Sequence, residues 1–253
     1  MKHKLIRLTF ALICMGICTI QAQVHLVSAT RMEVDAHYDS TLKGSMLQVM
    51  NSYKIRLNQE VSRSIGVCAQ FMTAKAPESL LSNFLADQLF AKASELTPGG
   101  VDFSVINIGS IRAPLNSGTL TVGDLCKVMP FENELVILEL KGSDVVSIFE
   151  GIARAGGEGV SNVQLEIRGK KIHRLLIGGN PPENSKLYRV ATMDYLAEGN
   201  GGFTPFLKAV NRTKTGLKVR DIYLEKIEKL TAQGKAVDSG MDGRIKIFAD
   251  ENH

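Results

Sequence analysis

The sequence has few of the residues that hold metal ions. It contains five histidines and four cysteines in 253 residues. Past residue 22 the histidines are His25, His37, His173 and His253. A two-metal hydrolytic site needs several Asp, His and Asn ligands bridging the ions. No Gly-Asn-His-Asp/Glu or His-x-His element is present to supply them, and there is no CxxC pair or zinc-type cluster. His25 and His253 lie near the ends, His173 sits in a basic strand, and Asp124 and Asp144 fall at helix starts. Neither a metal-binding nor a catalytic residue is therefore assigned, and hydrolysis by this chain alone is not expected. Low-complexity tracts and internal repeats are also missing, which together with the hydrophobic content indicates a globular fold.

Long apolar runs are lacking as well. The one candidate, Leu8–Ile20, follows a basic head with Lys2, Lys4 and Arg7 and precedes Gln21-Ala22-Gln23. It is short for a membrane-spanning helix and reads as a secretory signal peptide, residues 1–22, cleaved after Ala22; a retained anchor is the alternative. Cys14 and Cys18 each follow Ile, which excludes lipoprotein processing. Removing the leader's three positive charges takes the formal net charge from +4 to +1. Nucleic-acid binding through a basic surface is not supported. The mature part, 23–253, would be exported to the periplasm or beyond, with no membrane span after cleavage. It is long enough for one large domain with its own core. An exported compartment permits a disulfide between its cysteines, Cys68 and Cys126, and small buried side chains are the commoner reading for two cysteines in a chain of this size.

Val24–Met32 reads as a strand or extended entry. Leu42, Met46, Val49, Met50 and Tyr53 recur at helical spacing within Ser40–Glu60, and their stripe is expected to pack on the core. A second helix starts near Pro77–Ser79 and stops at Pro98-Gly99-Gly100, with Leu80, Leu81, Phe84, Leu85, Leu89 and Phe90 as its stripe. Phe103–Asn107 reads as a buried strand, and Val122–Val128 begins a short helix. Glu134–Lys141 is a strand, and Gly142-Ser143-Asp144 is expected to cap a helix over Val145–Arg154. Ala155–Gly159 is expected to be a mobile loop. Val163–Arg168 and Ile172–Ile177 form a hairpin turning at Gly169-Lys170. Leu187–Met193 is a strand, Leu217–Gln233 contains a helix and Gly243–Phe248 is a last strand. The fold class is α+β.

Two aromatics stand in glycine-rich segments far apart in the chain. Phe131 follows Asn107-Ile-Gly-Ser-Ile-Arg112 in the first, and Tyr195 precedes Gly199-Asn-Gly-Gly-Phe203 in the second. Such a pair can form two faces of a slot for a flat ring, each face worth roughly 1–3 kcal/mol per stacked base. Arg112 and Asn107 supply polar groups to orient a ligand. Core packing of the rings and a surface ion pair for Arg112 are the competing readings.

Val105–Arg112, Gly118-Thr-Leu-Thr121, Pro130-Phe-Glu-Asn133 and the late glycine element, in this order, resemble the C-terminal, substrate-binding domain of 5'-nucleotidases. The resemblance runs from about Asp35 to the C-terminus. It implies a single layered α/β/β/α domain and a nucleotide or nucleoside ligand stacked between Phe131 and Tyr195. It also implies substrate contacts from Asn107, Arg112, Asn200, Gly201 and Lys75. Three departures stand out. Ile108-Gly109-Ser110 replaces three glycines, Gly201 aligns with an Asp so that Asn200 becomes its neutral substitute, and Lys75 aligns with an Arg. Intact members place a dimetal phosphoesterase domain ahead of this one. The resemblance therefore implies a separately encoded metallophosphoesterase chain that brings the divalent metals, with no cofactor in this chain. A nucleoside receptor without catalysis, or a degenerate interaction module, are the alternatives.

Overall fold

The computed structural model describes Arg31 and residues 45–249. The expected signal peptide and nearly all of the Val24–Met32 segment lie outside the described residues. The chain divides into two compact units, Met1–Asn51 and Ser52–His253. Of the first, helix α1 (Ser45–Val61), which runs on into the second, is the described element.

The second unit contains β1 (Ser64–Cys68), α2 (Leu80–Leu96), β2 (Phe103–Ile106), β3 (Gly118–Thr121), α3 (Val122–Val128), β4 (Glu134–Lys141) and α4 (Gly142–Ala155). There follow β5 (Gly159–Ser161), β6 (Val163–Arg168), β7 (Lys171–Ile177), β8 (Leu187–Met193), α5 (Asp194–Ala197), β9 (Asn211–Lys218), α6 (Val219–Ala232) and β10 (Ile245–Phe248). The central sheet has five strands in the order β5-β2-β8-β4-β9. Within it β2 and β8 run parallel, and the other pairs are antiparallel. The β6–β7 hairpin carries β10 parallel to β6, and β1 pairs with β3. The fold is α+β, as the sequence implies.

Alternation along β2 shows how the central sheet is covered. The Phe103 ring meets Phe149 of α4 at 5.4 Å between centroids. Its neighbour Ser104 donates from Oγ to the Ala86 carbonyl of α2 at 2.8 Å. Successive side chains of a strand point to opposite faces, so α2 and α4 cover the two sides. Double coverage explains why all of Phe103–Ile106 is buried and why β4 buries Leu135, Val136, Ile137 and Leu138 in a row. Each fully buried side chain of this kind contributes about 1.5–3 kcal/mol.

Three expectations need correction. The described part of the α1 stripe is not buried: Val49, Met50 and Tyr53 are 51%, 46% and 69% exposed, while the side chains of Leu42 and Met46 lie outside those described. Helical spacing specifies a helix but not what covers it. Gly142–Asp144 do not cap α4 but form its first turn, with no side-chain cap at Lys141. The free amides of Gly142 and Ser143 donate instead to the carbonyls of Lys186 and Asn184, at 2.9 and 3.2 Å, which meets the need of a helix start. Ala155–Gly159 is a packed crossing between α4 and β5 instead of a loose loop. Gly157 has φ +122°, and a Cβ there would lie 2.5 Å from the Pro77 carbonyl oxygen. The glycine is needed for both conformation and close approach.

Candidate functional site

Three loops at the ends of the central strands converge. The first leaves β2 at Asn107 and makes one 3₁₀ turn, Ile108–Ser110. The Asn107 carbonyl accepts from Ser110 Oγ at 2.7 Å and from the Ser110 amide at 3.1 Å. The Ile108 N–H donates to a Glu158 carboxylate oxygen at 2.5 Å. Arg112 then donates its N–H to the Val128 carbonyl at 2.9 Å, which sets it against the end of α3.

The second loop, Met129–Asn133, is held from the β9–α6 junction. Val219 N–H reaches the Asn133 carbonyl at 2.8 Å. Lys218 Nζ reaches the Glu132 carbonyl at 3.1 Å, Arg220 Nη1 reaches the Met129 carbonyl at 3.3 Å, and Arg220 also pairs with the Glu132 carboxylate. Held this way, Phe131 stands 40% exposed. The third loop is the β8–α5 turn. Met193, Leu196 and Ala197 anchor it in the core and leave Tyr195 46% exposed.

Asn107, Arg112, Phe131 and Tyr195 line one cavity of about 480 Å³, together with Gly109, Ser110 and Asn133. That is within the usual size of a small-molecule site, roughly 300–1,000 Å³. Arg112 is exposed, and its Cζ lies 5.3 Å from the Phe131 ring centroid, a cation–π contact. Asn107 Oδ1 is buried and has no hydrogen-bond partner. A buried acceptor left unpaired costs free energy.

Lys75, Asn200 and Gly201 are not among the cavity's lining residues. Asn200 donates from Nδ2 to the Tyr195 carbonyl at 3.0 Å, and a side chain at Gly201 would meet Tyr195 Cε1 at 3.8 Å. Both therefore shape the turn that carries Tyr195. Lys75 donates its backbone N–H to Ser79 Oγ at 3.0 Å, ahead of the cis Ala76–Pro77 bond. Sequence reasoning missed Asn133 as a lining residue, although it ends the Pro-Phe-Glu-Asn element. It also missed Glu158, hidden in a glycine-rich stretch.

Among the described residues no three His, Cys, Asp or Glu side chains form a group able to hold a metal ion. The chain's Asp-x-His triplet, Asp35-Ala36-His37, lies outside the described residues. Cys68 and Cys126 are both free, the first buried and the second half-buried. No helix among the described residues is long and apolar enough to cross a membrane.

Comparison with known proteins bears directly on these loops. The family model for the 5'-nucleotidase C-terminal domain matches residues 60–208. The trifunctional nucleotide phosphoesterase protein YfkN of Bacillus subtilis is 28% identical over 234 residues, covering 85% of this chain and 16% of its own length. Protein UshA of Yersinia enterocolitica is 30% identical over 142 residues, covering 54% of this chain and 26% of its own. A 5'-nucleotidase precursor from Thermus thermophilus shares the fold with a TM-score of 0.69 at 24% identity, over 79% of this chain and 42% of that one. The chain thus spans less than half the length of these relatives. All three converging loops fall inside the matched residues, and the chain belongs to the 5'-nucleotidase C-terminal domain family.

Proposed function

We propose that this chain is the substrate-recognition component of a 5'-nucleotidase-type hydrolase. It captures a nucleotide or nucleoside with the base between Phe131 and Tyr195. The observation that carries the reading is the convergence of two half-exposed rings on one cavity that Asn107 and Arg112 also line. A half-exposed aromatic keeps apolar area in contact with water, and a flat ligand ring recovers that area on stacking. The exposed Arg112 guanidinium offers five donors, a match for ribose oxygens or phosphate. Family membership supports the ligand class.

Phosphate-ester cleavage then falls to a separate dimetal phosphoesterase chain, which supplies the divalent metals. The role of this chain is to bind and orient: a substrate held in reacting geometry gains several kcal/mol through positioning alone. An exported location, through the leader at residues 1–22, belongs to the same proposal.

A calorimetric panel of nucleosides and nucleotides, repeated in the presence of a candidate phosphoesterase from the neighbouring reading frame, tests this division. The purified chain is expected to bind adenosine or AMP and to release no phosphate until the second chain is added. Metal-dependent turnover by the chain alone contradicts the division, and failure to bind any compound of the panel contradicts the ligand class.

A further inference from the structure

Glu158 is a partly buried acid that the proposed function does not use. Among the described residues no cation pairs with it. Burial is the larger influence on its carboxyl and pushes the pKa up, while the Ile108 N–H acts in the opposite direction. Burying a carboxylate without a counter-charge is unfavourable. A backbone carbonyl or a glutamine could satisfy one amide without that penalty, so the acid needs a reason to be there.

The reason lies in what its partner amide holds. Ile108 N–H belongs to the peptide joining Asn107 to the 3₁₀ turn, and Asn107, Gly109 and Ser110 all line the ligand cavity. Fixing that peptide plane fixes the backbone from which the Asn107 side chain springs, and the Oδ1 of that side chain has no partner. The turn is tied at both ends, by Glu158 at Ile108 and by Ser110 at the Asn107 carbonyl. Glu158 itself is placed by the crossing at Gly157, wedged against Pro77, and by Gly159, where a Cβ would fall 2.6 Å from Ile106 Cγ1.

We propose that Glu158 is a positioning residue for ligand binding: its carboxylate clamps the Ile108 amide and so aims Asn107 and its turn into the cavity. This inference rests on the nucleoside-binding reading above. A charge-assisted hydrogen bond is about twice as strong as a neutral one, which makes Glu158 the stronger clamp and glutamine a partial substitute.

The test is calorimetric titration of adenosine and of AMP into the full chain, as wild type, Glu158→Gln and Glu158→Ala, each checked by thermal melting. The alanine variant is expected to bind about tenfold more weakly and the glutamine variant about threefold more weakly, as graded loss of one charged hydrogen bond implies. In an Asn107→Ala background the Glu158→Ala effect should vanish, because the aimed group is gone. Amide hydrogen exchange should quicken at Ile108 in the alanine variant. A folded Glu158→Ala chain that binds both probes with wild-type affinity overturns the inference. So does an undiminished effect in the Asn107→Ala background, which would mark a merely structural role. A wild-type chain that binds neither probe overturns the nucleoside-binding reading and this inference with it, and is told apart by that first titration.

Discussion

At the residue scale, ligand capture depends on side chains that the fold leaves unsatisfied. Phe131 and Tyr195 are half-exposed beside a buried core, and stacking against each is worth roughly 1–3 kcal/mol. Phe131→Ala or Tyr195→Ala should therefore weaken adenosine binding about 5- to 150-fold without shifting the melting temperature appreciably, which paired titration and melting would check. Tyr195 carries a second handle. The chain has no tryptophan and five tyrosines, so tyrosine emission is not masked and stacking can be followed by quenching that Tyr195→Phe reduces.

Glu158 gives the pH dependence. Its pKa is raised by burial, so the folded state holds this proton to a higher pH than the unfolded chain does. Its contribution to stability is present below the ordinary glutamate range and is lost as pH rises through the raised value. Glu158→Gln should accordingly melt higher than wild type at neutral pH. That gain should fade in melts run below the ordinary carboxylate range.

At the scale of elements, the sequence was most legible where pattern and environment agree. Glu134–Lys141 and Leu187–Met193 are strands with the expected bounds because both are apolar and central. The strands that escaped notice are β1, β3, β5 and β9. The longest of these, Asn211–Lys218, is a polar edge strand with no apolar alternation to betray it. The α1 stripe misled because amphipathic spacing does not say what lies opposite. Ala155–Gly159 misled because its glycines serve close packing, which looks like flexibility in a sequence.

One long-range tie at this scale could not be read from the sequence. Arg244, just before β10, reaches Asp87 of α2 at 2.7 Å, the Val160 carbonyl of β5 at 2.8 Å and Asp242 at 2.8 Å. It joins three elements from a side chain only 11% exposed. Arg244→Ala should lower stability by about 1.5–3 kcal/mol, the usual worth of hydrogen bonds to charged groups, as urea unfolding would measure. Its partner Asp242 has a pKa lowered chiefly by the hydrogen bond from Arg244, so the stabilisation is present above the ordinary aspartate range and is lost as pH falls through the lowered value.

At the scale of the whole molecule, four of the seven site residues expected from the sequence line one cavity: Asn107, Arg112, Phe131 and Tyr195. They were legible because each sits in a short element with its own turn chemistry. Lys75, Asn200 and Gly201 rest on the family resemblance alone and stand outside the lining. The rest of the site depends on contacts such as that of Lys218 and Arg220 with the Phe131 loop, some 90 positions apart in the chain.

The central claim is that a planar base sits between Phe131 and Tyr195. A crystal structure of the chain soaked with adenosine tests it most directly. The purine is expected between the two rings at stacking distance, within the cavity that Asn107 and Arg112 line. Adenosine seated elsewhere, or a cavity that stays empty at saturating adenosine, would contradict it.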